Sequence, residues 1–221
     1  MKRKATSILL GCLSVMLVAV FSVTVYAALQ SSLRISNTIS FTPNSQNIFY
    51  EANAIAYYKG EKDTGPKAST WIDNSTHTST DPSRNEGNMY EVPSFKKDKR
   101  TIVYEITVSN YTSDANLNVS FTLTNPEIMY DSGEDKQGVV LAVTNMVDTT
   151  ISGQMNGNAG LTYLTQDGNR YSFELSRYTM THLQTQTAPS VTFYIETTCH
   201  YFGESYKLHN DFTFSLTKVE E

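Results

Sequence analysis

TIVYEITVSNYTSDANLNVSFTLTN, residues 101–125, holds two runs of strict apolar–polar alternation joined by a polar turn. In the first run Ile102, Tyr104, Ile106 and Val108 fall on one side of an extended strand, and Val103, Glu105, Thr107 and Ser109 on the other. In the second, Leu117, Val119, Phe121 and Leu123 alternate with Asn118, Ser120 and Thr122. A period of two marks a strand that is buried on one face, and the turn-forming residues between the runs predict an antiparallel hairpin. Eight apolar side chains then share a face. A lone hairpin is marginal in water, so this face requires a second layer.

The rest of the chain repeats the pattern. Residues 33–41 (LRISNTISF) alternate, with Leu33, Ile35, Ile39 and Phe41 in one phase, and predict the first strand. Residues 48–58 form a second extended run, rich in aromatic residues and poor in helix caps. Residues 59–100 then change character: Gly, Pro, Ser, Thr, Asn, Asp and Lys dominate, with isolated anchors at Trp71, Ile72, Met89, Tyr90, Val92 and Phe95. This is a long polar insertion, and loops of that length are where a binding surface is expected. A core-edge cap is the commoner place for a single Trp, which is the expectation for Trp71.

After residue 125, Pro126 breaks the strand and residues 131–137 (DSGEDKQ) predict an acidic turn; the spacing of Asp131, Glu134 and Asp135 does not match a calcium loop. Residues 139–145, 160–165 and 170–176 are short and β-rich, and Asp167 with Gly168 predicts a hairpin that sets Leu161 and Tyr163 against Tyr171, Phe173 and Leu175. Residues 178–183 offer one helical turn. Residues 190–199 and 206–219 predict a final strand pair. Asn37 and Asn210 interrupt the inward phase, and each is expected near an edge or bonded to neighbouring backbone. The expected architecture is all-β: an antiparallel β-sandwich, Ig-like or jelly-roll-like, of about ten strands carrying the 59–100 insertion.

Residues 1–27 have the form of a signal peptide: a basic start (MKRK), an apolar run over residues 7–25, and small residues Val25 and Ala27 before Ala28. The alternative is a retained N-terminal membrane anchor. A single domain, residues 28–221, follows. Without Lys2, Arg3 and Lys4 the 17 basic and 22 acidic residues leave a formal charge of about −8. That excludes a nucleic-acid partner and disfavours electrostatic docking on anionic lipid, leaving an uncleaved N-terminal segment as the only route to the membrane. Only Cys199 remains in the mature part, so no internal disulfide forms there, and its phase with Val191, Phe193 and Ile195 predicts a buried thiol.

The chemistry-bearing residues do not assemble into a motif. His77, His182, His200 and His209 are scattered without metal-ligand spacing, and no nucleophile elbow, phosphate loop or dinucleotide turn is present. No catalytic residue, metal or cofactor is expected, and the chain is read as a non-enzyme. Tyrosine is frequent, at 14 residues; those outside the apolar phase can stack on sugars or dock proteins. The candidate ligand or partner surface comprises Trp71, Tyr90, Tyr57 and Tyr111.

The lysine-led signal ending in small residues, the strand LRISNTISF soon after it, and the unit TIVYEITVSNYTSDANLNVSFTL resemble exported β-sandwich proteins of the TasA/camelysin type from Gram-positive bacteria. Tyr26, Ala27, Ala28 and Leu29 stand where that group has an aromatic motif at the signal junction, and the protease activity sometimes attributed to camelysins has no metal motif here. The resemblance implies a secreted or cell-surface structural or adhesion protein, such as a biofilm-matrix component, whose partners are other copies of itself or other surface and matrix proteins. The alternative is an extracellular module binding carbohydrate or protein.

Overall fold

The computed structural model describes residues 37–44, 47–75, 85–122, 127–130, 140–141, 147–155, 165–167, 170–178, 188–200 and 206–219. In these, alternating sequence becomes strand throughout: β1 (Asn37–Pro43), β2 (Tyr50–Tyr58), β3 (Lys67–Asp73), β4 (Asn85–Met89), β5 (Thr101–Asn110), β6 (Leu117–Thr122), β7 (Glu127–Tyr130), β8 (Val140–Leu141), β9 (Val147–Met155), β10 (Thr165–Asp167), β11 (Arg170–Leu175), β12 (Ser190–Cys199), β13 (Tyr206–His209) and β14 (Asp211–Lys218). A six-stranded sheet, β10-β11-β6-β14-β1-β4, and a five-stranded sheet, β3-β2-β5-β12-β9, make an open β-sandwich, and β13, β7 and β8 form a small third sheet. The ladders are antiparallel except that β1 runs parallel to β14. The signal segment, the 131–137 turn, Leu123, Leu161 and Tyr163 lie outside the described residues, as does all but the first residue of the 178–183 turn.

The expected 101–125 hairpin is not formed. β5 lies between β2 and β12 in one sheet, and β6 between β11 and β14 in the other. The six residues 111–116 arch across the sandwich. Asn110 holds the arch: its Oδ1 accepts from the Thr112 backbone N–H at 2.8 Å, and its Nδ2 donates to Ser176 O at 2.8 Å. The two apolar faces therefore oppose each other through the core, with Ile102, Tyr104, Ile106 and Val108 on one wall and Leu117, Val119 and Phe121 on the other, all nearly solvent-free. Alternation places a side chain on a face but does not choose the neighbouring strand. The expected last pair divides in the same way, β12 in one sheet and β14 in the other, whereas β10 and β11 do form the hairpin predicted around residues 167–168.

Phe214 on β14 is the centre of the core. Its ring lies 5.0 Å from those of Phe41 and Phe121 and 5.4 Å from Phe193 on the facing sheet. Opposite these rings β2 contributes Ala52, Ala54 and Ala56, all buried; small residues leave the volume that close packing of large aromatics demands.

Asn37 is buried at 1% exposure, within a strand flanked on both sides, and its partner is a side chain of the other sheet: the Tyr104 hydroxyl donates to Asn37 Oδ1 at 3.1 Å. This corrects the expectation of an edge position or a backbone partner. Asn210 is also buried, at the break between β13 and β14.

The polar stretch 59–100 supplies β3 and β4, one outer strand for each sheet. Ala68 and Ile72 of β3 point inward, and its polar phase points out. Gly87 of β4 lies against β3 so closely that a Cβ there would sit 2.7 Å from Thr70 Oγ1 and 3.2 Å from Ile72 Cγ1.

Candidate interaction surface

The register of the five-stranded sheet fixes what its outer face presents. One row across the strands is Trp71, Asn53, Thr107, Thr192 and Gln154. The next is Ser69, Ile55, Glu105, Tyr194 and Ser152, followed by Lys67, Tyr57, Val103, Glu196 and Thr150. On the other side of the Trp71 row lie Asp73, Glu51, Ser109 and Ser190. The face is mostly hydroxyl, amide and carboxylate. Thr107 and Thr192 share a 2.9 Å hydrogen bond, as do Thr101 and Thr198, the cross-strand pairing that β-branched hydroxyl residues favour.

Trp71 stands out from this face at 57% exposure, so it does not cap the core edge. Tyr90 is also exposed and directly follows β4.

Tyr57 shares the outer phase but is buried. Its hydroxyl donates to Glu105 Oε2 at 2.9 Å, and Lys62 Nζ donates to Glu105 Oε1 at 2.8 Å, which ties the 59–66 turn down over it. Burial first, then the Glu105 hydrogen bond and charge, push the Tyr57 phenol well above its ordinary range. The hydrogen bond to Glu105 raises the Lys62 ammonium against the opposing effect of burial. Lys59 bonds Glu196 at 2.5 Å, and Lys99 bonds Glu61 at 2.8 Å while lying 5.1 Å from the centre of the Tyr58 ring.

Tyr111 sits at the opposite end of the sheet, half-buried in the arch. Its ring is 5.5 Å from that of Tyr178, and its phenol is raised by burial and by the hydrogen-bonded Glu51. The four candidate aromatics therefore do not converge. Tyr57 is engaged structurally, Tyr111 and Trp71 lie rows apart on the five-stranded sheet and its arch, and Tyr90 follows a strand of the other sheet.

Asn53 and the Thr107–Thr192 pair beside Trp71 escaped sequence reasoning. Their only signal is the polar phase of β2 and β5, which by itself reads as a solvated face.

Cys199 is buried at the end of β12 and His200 is exposed, with Nε2 2.7 Å from Asp148 Oδ2. The thiol and the imidazole point to opposite faces and do not meet. Among the described residues, no three His, Cys, Asp or Glu side chains come together as a metal set, and no helix is long and apolar enough to cross a membrane. No protein-family model matches the chain, and no curated protein matches it significantly.

Proposed function

We propose that this protein is an exported, non-enzymatic β-sandwich with a structural or adhesive role at the cell surface, such as in a biofilm matrix, and that its copies associate by exchange of β1. The observation that carries this is the setting of β1. The first strand fills a slot between β14 and β4, with Ile39 and Phe41 buried in the core. If β1 leaves, two ladder edges and an apolar groove are bared, both complementary to β1 itself, so a second copy can supply the same strand in the same register. The resemblance to exported matrix proteins points the same way. Electron microscopy and sedimentation of the purified chain at rising concentration test this: oligomers or filaments are expected, and monomers at every concentration would defeat it. Cell fractionation tests export separately.

A second reading, an extracellular ligand-binding module, is favoured by one observation. The chain's single Trp is turned to solvent.

A further inference from the structure

We propose that the corner of the outer face centred on Trp71 binds a neutral oligosaccharide, with a sugar ring stacked on the indole and its hydroxyls bonded by Asn53 and Asp73. This rests on the second reading and gives it a site and a ligand class.

Trp71 is 57% exposed on β3, the outermost strand of its sheet. Its surroundings on the same face are polar. Ser69 and Asp73 flank it along the strand, Asp73 Oδ1 already accepting from the Ser75 backbone N–H at 2.8 Å and the Ser75 hydroxyl at 2.7 Å, and the exposed Asn53 lies directly across. The groups nearest the indole are amide, hydroxyl and carboxylate, with Ile55, diagonal to it on β2, as the apolar exception. A pyranose matches that arrangement, because its C–H face packs on an aromatic ring while its edge hydroxyls donate to a carboxylate and exchange hydrogen bonds with an amide. Neither the Trp71 indole N–H nor the Asn53 side-chain amide has a hydrogen-bond partner among the described residues.

Charge narrows the class. Asp73 and Glu51 are paired across neighbouring strands beside Trp71, and the mature chain is acidic overall. Phosphate- or uronate-bearing polymers are repelled, and neutral glycans are not. The row continues through Thr107, Thr192 and Gln154, and five positions at a strand spacing of ~4.8 Å extend about 19 Å. A chain of several sugars therefore gains contacts that a disaccharide lacks. The platform is a paired β-sheet, so little order has to be gained on binding.

Because Trp71 is the only Trp, its emission reports on this corner alone. The full chain is titrated with cellohexaose, chitohexaose and mannohexaose, with the matching disaccharides, and with polygalacturonate as the anionic control. A saturable shift or quenching is expected with at least one neutral hexaose, about tenfold tighter than with its disaccharide, and none with polygalacturonate. Calorimetry should show binding lost in Trp71→Ala, weakened in Asn53→Ala, and retained within about tenfold in Trp71→Tyr, with circular dichroism confirming the fold of each. No response to any neutral hexaose, equal binding by Trp71→Ala, or equal binding of polygalacturonate would each overturn the proposal. Sedimentation of Trp71→Ala is expected to match the wild type, so loss of glycan binding leaves the β1-exchange reading to its own test.

Discussion

Replacing Tyr104 by Phe removes one oxygen from the centre of the sandwich and should cost far more than a surface hydroxyl. Tyr104 is fully buried, and its hydroxyl donates to Asn37 Oδ1 at 3.1 Å; Asn37 is 1% exposed. With the donor gone, the amide oxygen is left in an apolar surround, a loss of about 1–3 kcal/mol. For a urea slope of roughly 2 kcal/mol/M the midpoint then falls by about 0.5–1.5 M. The informative variant is the double one. Tyr104→Phe with Asn37→Leu removes both polar partners, and a pair of apolar groups of similar shape is expected to recover much of the loss, with a coupling of about 0.5–3 kcal/mol. Urea unfolding of the four proteins, followed by far-ultraviolet circular dichroism, closes the cycle. If Tyr104→Phe shifts the midpoint by less than about 0.2 M, or the two substitutions simply add, the bond is not what fastens β1 to the opposite sheet.

Three further outcomes follow from the same geometry. Stability should fall above about pH 10, because burial holds the Tyr104 phenol protonated in the fold while the unfolded chain releases its proton, at about 1.4 kcal/mol per pH unit; Tyr57 and Lys62, both raised, act in the same direction. Thermal melts at stepped pH measure this, and a melting temperature unchanged between pH 9 and 11 would contradict it. Gly87→Ala places a Cβ 2.7 Å from Thr70 Oγ1 and should cost about 1–3 kcal/mol, partly restored by Thr70→Ala; unaltered stability of Gly87→Ala would show that β3 and β4 part easily. Thr38 and Asn88 are paired across β1 and β4 with their side chains in contact, so a Thr38→Cys/Asn88→Cys variant should stay monomeric when oxidised and associate when reduced; association in both states would argue against exchange of β1.

How much of this was legible varies from strand to strand, for physical reasons. The inward phases of β5, β6, β12 and β14 could be taken directly from alternation, because each strand buries one face. Pairing could not. A hairpin and a cross-sandwich arch carry the same alternation, and only Asn110, bonded to Thr112 and Ser176, marks the difference. β9 (VDTTISGQM) escaped because an outer strand needs few apolar residues, and β3 because its outward phase is polar around a lone Trp. The aromatic candidates could not be sorted by exposure: Tyr57 and Trp71 both read as outward-facing, and only the Lys62–Glu105 clamp over Tyr57 separates them.

The parallel pairing of β1 with β14 also determines when the molecule can fold. Ser40 reaches Phe212, 172 residues away in the chain, and β14 occupies an inner place between β6 and β1. The larger sheet therefore cannot close until β14 has been made. Contacts of such long range carry a large loop-closure cost and slow the search for the native state. A chain emerging N-terminus first thus keeps β1 without its parallel partner through most of its synthesis, with only β4 to pair against. The late arrival of β14 is the timer that separates an extended polypeptide from a finished domain.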